Sequence, residues 1–167
     1  MRNKIANLLY RVAQLELIQG LQGQDFSGQD LSGKNFRNVD LTRADFSEAD
    51  LSDANLERAN LSNANLTGVT LNNADFRDAN LEGATLSEAS LRGAILHKAT
   101  LVDATLDNAN LENADLYNAN LISAYLPHTN LKDINLSYAE LVDATLQYAN
   151  LQYANLKEAN LEGANLR

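Results

Sequence analysis

The sequence predicts an all-β solenoid, a four-sided β-helix built from five-residue units, on three observations. Every fifth residue from Leu21 to Leu166 is Leu or Phe, thirty positions without a miss. Two places before these centres sits a small residue: from Ala44 to Ala164 it is Ala at twenty-two of twenty-five places, the exceptions being Val69, Thr129 and Ile134. Two places after the centre lies a position that holds seven of the eight glycines, among them Gly23, Gly68 and Gly163, with many Asn and Asp besides.

The period itself requires a coil, and four sides are expected; the residues alone do not exclude three, the form that hexad repeats usually take. On an α-helix, five residues advance about 500°, so successive centres spiral around the axis. On a flat strand an odd period alternates faces. All thirty centres point inward only if the chain turns once per unit. A turn of about 90° per unit closes a square coil of roughly twenty residues, and stacked coils then lie about 4.8 Å apart. The glycine-rich position marks the corners, since Gly, Asn and Asp tolerate positive φ. The run from residue 19 to 167 gives about 7.5 such coils, a rod roughly 36 Å long.

Units such as Ala49-Asp50-Leu51-Ser52-Asp53 and Ala64-Asn65-Leu66-Thr67-Gly68 closely resemble the repeats of the pentapeptide-repeat family. That resemblance implies a right-handed quadrilateral β-helix. It also implies a binding role: the best-understood members mimic DNA and bind type II topoisomerases such as DNA gyrase, and others regulate development through a protein partner. The gyrase binders often carry loop insertions and a dimerising carboxyl-terminal module. This sequence has thirty uninterrupted units and neither feature.

Residues 1–18 leave the register. Ile5, Leu8, Leu9, Val12 and Leu15 recur at helical spacing behind a plausible N-cap at Asn3, which predicts a short helix over about 4 to 17. Its expected role is to cap the first coil, as solenoid ends require. At the other end the register runs to Leu166. A last row of Leu151, Leu156, Leu161 and Leu166 without a neighbour above predicts a weak homodimer through the carboxyl-terminal coil.

Composition limits the chemistry. The 167 residues contain no cysteine, and the formal net charge is -9. Clustered Lys and Arg are missing, which argues against direct nucleic-acid binding and against an anionic membrane surface. No apolar run reaches membrane-spanning length. The expected location is cytoplasmic. His97 and His128 fall on opposite sides of a twenty-residue coil, so neither a shared metal nor a catalytic dyad is expected. The glycines mark corners singly and cradle no phosphate. The expectation is a protein without catalysis or cofactor.

Face A is centred on Leu21 to Leu161, face B on Phe26 to Leu166, face C on Leu31 to Leu151 and face D on Phe36 to Leu156. Counted by unit, they carry net charges of -5, -4, -3 and +1. The rod has about half the charge density of B-DNA at one charge per ~1.7 Å, so DNA mimicry toward a topoisomerase stands second to binding of another protein. Opposite charges at twenty-residue offsets, Arg37-Glu57-Arg77 and Arg92-Glu112-Lys132, predict stabilising ladders. The residue after the centre is usually polar, but on face A it becomes Val102, Ile122 and Val142 in consecutive coils, with Tyr125 just around the corner. These four residues are the candidate protein-binding surface. The run Pro127, His128, Thr129 and Ile134 departs from the repeat and predicts a local bulge.

Overall fold

The structure is a computed structural model that describes residues 20–167. The expected amino-terminal helix, and with it the division at residue 18, lies outside the described residues. From Asp25↔Asp45 to Thr145↔Asn165, each residue before a centre bridges in parallel to the residue twenty positions on. Four units therefore make one coil, and each face is a ladder of single parallel bridges. The Leu and Phe centres from Leu21 to Leu146, and nearly all the Ala positions beside them, are buried and form one continuous core. Near the amino end Phe26 stacks on Phe46 with ring centroids 4.8 Å apart, and Phe36 meets both edge-on.

Backbone accounting explains the sequence of the unit. The centre donates its N–H to the next coil, as Phe26 does to the Asp45 carbonyl at 2.7 Å. The corner residue does the same, and the residue before the centre donates to the previous coil, as in Asp45 to the Gln24 carbonyl at 2.9 Å. The small residue donates across the turn, Ala44 to the Leu41 carbonyl at 3.0 Å. One N–H remains, that of the residue after the centre. It is met by the side chain two places earlier: Asp25 Oδ1 accepts from the Ser27 N–H at 2.9 Å, and Asn55 Oδ1 from the Glu57 N–H at 3.0 Å. Every Asn or Asp before a centre makes this bond. That position is thus an Asx-turn acceptor repeated along the rod.

The corners take the left-handed conformation without exception. Asn38, Asp53 and Asn63 have φ near 58°, and residues less suited to it follow suit, including Tyr138, Tyr148 and Tyr153 at 58° to 62°. Side chains with a branched or bulky Cβ adopt this region at a cost of roughly 1 kcal/mol. From Gly23 to Asp143 inter-coil bonding holds them there, for each of these corner N–H groups is committed to the coil above; Tyr138, for instance, donates to the Lys157 carbonyl at 2.9 Å.

The expected bulge near Pro127 does not form. The bridges Tyr125↔Thr145 and Asn130↔Asn150 keep the register, and His128 still donates to the Gln147 carbonyl at 2.9 Å. Two departures cancel. Tyr125 offers no Asx acceptor, and Pro127, the residue that would need one, has no N–H. Thr129 replaces the small Ala, and its buried hydroxyl donates to the Leu106 carbonyl at 2.8 Å.

The Asx acceptors make the rod sensitive to acid. Hydrogen bonds from Ser27, Ser32 and Thr42 hold the carboxyls of Asp25, Asp30 and Asp40 below the ordinary value of 3.8. A depressed folded-state pKa contributes stability that is complete above the unfolded value and lost as pH falls through the folded one. Replacing all three by Asn keeps the acceptors and removes the titration. The triple variant is expected to unfold at lower pH than the parent in an acid titration followed by circular dichroism. Coincident acid limbs would contradict this account.

Candidate functional site

Val102, Ile122 and Val142 lie in one column where face A turns into face B. Gly83 N–H binds the Val102 carbonyl at 2.9 Å, Asp103 N–H the Ile122 carbonyl at 3.1 Å, and Ser123 N–H the Val142 carbonyl at 2.9 Å, so the turns stack directly. The three aliphatic side chains are half-buried rather than fully exposed, because each coil shields its neighbours. Tyr125 begins face B, bridges Thr105 and Thr145, and is 47% exposed. The four candidate residues therefore occupy one edge of the rod. The other candidate set sits on the last coil: Leu151, Leu156 and Leu161 are half-buried against the core, and Leu166 is 52% exposed.

Sequence reasoning missed an aromatic column on the opposite border of face A. There His97 meets Tyr117 edge-on at 5.9 Å, Tyr117 meets Tyr138 at 5.6 Å, and Lys157 lies over the Tyr138 ring. Offsets of twenty and twenty-one residues carried the signal. The Tyr138 hydroxyl lies 3.4 Å from Glu158, whose charge pushes the phenol pKa up. His97 is half-buried, with Nε2 2.8 Å from Asp115 Oδ2. The pair is close but out of line for a hydrogen bond. His128 is exposed and stacks on Tyr148 at 5.0 Å. Among the described residues no group of His, Cys, Asp and Glu could hold a metal ion, and no helix is long and apolar enough to cross a membrane.

Ion pairing is distributed unevenly. On face D, Arg37 pairs with Glu57 at 3.1 Å, Arg58 lies 3.8 Å from both Glu57 and Asp78, and Arg77 pairs with Asp75. On face C, Glu112 joins Arg92 at 3.3 Å and Lys132 at 3.6 Å, and Lys132 also reaches Asp133. The face C ladder thus forms as expected. The face D ladder stops at Glu57, because Arg77 has a carboxylate two residues away; its Nε donates to Asp75 Oδ1 at 2.9 Å, and it holds the Asp75 carboxyl below its usual range. Among the described residues every ion pair belongs to face C or D. The carboxylates of faces A and B have no cationic partner there.

The family model for pentapeptide repeats matches in 8 copies, which together run from residue 21 to 167. The chain belongs to the pentapeptide-repeat family. Its members form right-handed β-helices and are in general structural or binding proteins; no catalytic family is indicated. Similar solved structures include HetL, a pentapeptide repeat protein involved in heterocyst differentiation regulation from the cyanobacterium Nostoc sp. strain PCC 7120. It is 28% identical over 94% of each chain, with a TM-score of 0.38. A pentapeptide repeat protein from the Arabidopsis thaliana thylakoid lumen is 36% identical over 71% of this chain and 68% of its own, with a TM-score of 0.30. A trypsin-treated form of QnrB1, a plasmid-mediated fluoroquinolone resistance protein, is 15% identical over 86% and 91%, with a TM-score of 0.39. No curated protein matches the chain.

Proposed function

We propose that this pentapeptide-repeat protein is a non-catalytic binding scaffold that engages a protein partner through the edge formed by Val102, Ile122, Val142 and Tyr125. The observation that carries the reading is the apolar column itself. Three aliphatic residues stand in consecutive coils at a position that the rest of face A fills with Gln22, Thr42, Ser62, Glu82 and Glu162. Sheet propensity alone accounts for β-branched residues there, but not for their restriction to one edge beside an exposed Tyr125. Backbone bonding supplies a rigid frame, so the surface is presented at little ordering cost.

Ile122→Glu is expected to abolish capture of the partner from native lysate while leaving the circular dichroism spectrum and melting temperature within experimental scatter of the parent. Equal capture by parent and variant removes the site. DNA mimicry makes a different prediction: the parent would inhibit or protect a type II topoisomerase in a supercoiling assay, and Ile122→Glu, which adds negative charge, would not weaken that effect.

A further inference from the structure

We propose that this edge takes a cationic amphipathic helix, one whose apolar stripe is flanked by Lys or Arg. The inference rests on the binding role proposed above and adds the chemistry of the partner. Three observations carry it.

The first is charge. Asp103, Glu140, Asp143 and Glu162 surround the aliphatic column, and none has a Lys or Arg within ion-pair distance among the described residues. Glu140 instead accepts a hydrogen bond from Asn160 at 2.8 Å. The only basic residue within the units of face A is Arg43, three coils away from Asp103, while Lys98 and Lys157 stand at its far border with face D. On faces C and D, by contrast, Glu57, Asp75, Asp78, Glu112 and Asp133 each lie within ion-pair distance of an Arg or Lys. The apolar column thus lies where the acidity is uncompensated, which favours a partner of opposite sign.

The second is the closed backbone. Along the flank of the rod the backbone bonds run between neighbouring coils, as in Leu121 N–H to the Glu140 carbonyl at 2.7 Å and Tyr125 N–H to the Ala104 carbonyl at 2.9 Å; within the column Asn120 Oδ1 accepts from the Ile122 N–H, and the N–H groups of Val102 and Val142 stand singly, two coils apart, and form no row. A partner strand has no free edge to pair with there, so strand addition is excluded at this site. Recognition must go through side chains.

The third is spacing. Three stacked coils place their outer side chains over about 10 Å. A helix presents residues i, i+3 or i+4, and i+7 along one stripe over about the same length. An extended segment presents same-face side chains roughly 6.7 Å apart and falls out of step with the coils after one repeat.

The test uses a synthetic peptide of about fourteen Leu and Lys residues patterned as an amphipathic helix, labelled and titrated with the full chain in fluorescence anisotropy. A scrambled peptide of identical composition and a Leu/Glu analogue serve as comparisons. Saturable binding of the patterned peptide is expected. Ile122→Ser should weaken it about tenfold, and Asp103→Asn with Asp143→Asn should weaken it severalfold and flatten its salt dependence. Tyr153→Ser on face C should leave it unchanged, and melting curves confirm that each variant is folded. Equal binding of the scrambled peptide, or insensitivity to Ile122→Ser, overturns the proposal. So does the absence of peptide binding when Ile122→Ser still abolishes lysate capture; in that case the edge binds a partner of other chemistry and the scaffold reading stands. If neither peptide binding nor capture depends on Ile122, both fall.

Discussion

Leu91→Lys is expected to unfold the protein or to lower its melting temperature by more than about 10 °C. Leu91 is fully buried, at 0% exposure, in the centre column of face C with Leu71 and Leu111 on either side. Lysine there would place an ammonium in an interior lined by Leu and Ala, with no carboxylate to pair. The cost is several kcal/mol, against a total stability of about 5–15 kcal/mol for a domain. A solenoid is held by neighbour-to-neighbour contacts, so the lesson of a mid-rod lesion is sharper than its local energy: it separates the coils below from those above. Ser62→Lys, at an outward position after the centre, should stay within about 0.5 kcal/mol of the parent. Thermal melts by circular dichroism read both variants. A Leu91→Lys melt within a degree of the parent would show that the inward register is wrong.

The second large effect is expected at a small-residue position. Ala94 is buried at 0% exposure and stacks between Ala74 and Ala114, with Ile134 one coil further on. Ala94→Phe adds a ring where the neighbouring coils are held by bonds such as Ile95 N–H to the Ala74 carbonyl at 3.0 Å and Asp115 N–H to the Ala94 carbonyl at 2.9 Å. The backbone cannot part without losing the ladder, so overpacking should cost at least about 3 kcal/mol, the upper part of the usual range. Ala94→Val is the control. Val69 and Ile134 already occupy equivalent places, both buried, and the substitution should cost less than about 1.5 kcal/mol. Urea denaturation distinguishes the two. Equal midpoints for Phe and Val would mean that the small-residue columns are loosely packed.

Much of the fold was legible because a five-residue period buries every centre only if the chain turns once per unit; that four units close the coil is shown by the bridges at offsets of twenty. Leu101 and Phe36 could be placed inside, and Asn63 and Gly83 at corners, from register alone. The candidate edge was legible for the same reason: Val102, Ile122 and Val142 share a column once the coil length is known. What register could not show was the direction in which long side chains reach. Arg77 could extend to Glu57 in the coil below or fold back on Asp75, and both satisfy the repeat. His97, Tyr117 and Tyr138 form a column although Tyr138 sits one position out of step, which a strict offset of twenty overlooks.

The sequence by itself determined the turn in each unit, the inward residues and, once four units make a coil, the net charge of each face, because these follow from periodicity and composition. Only the tertiary structure decided which charges are paired and why an Asn or Asp precedes so many centres. The Asx side chain accepts the one backbone N–H that meets no backbone carbonyl, a role visible only when all five donors of a unit are traced. Likewise, faces A, B and C are all acidic in sequence, yet among the described residues it is Glu112 of face C, with Glu57 and Asp78 of face D, that meets an Arg or Lys across the distance between coils. Ion pairing depends on rotamers and separations of a few ångströms, and a repeat pattern fixes the positions of side chains without fixing their reach.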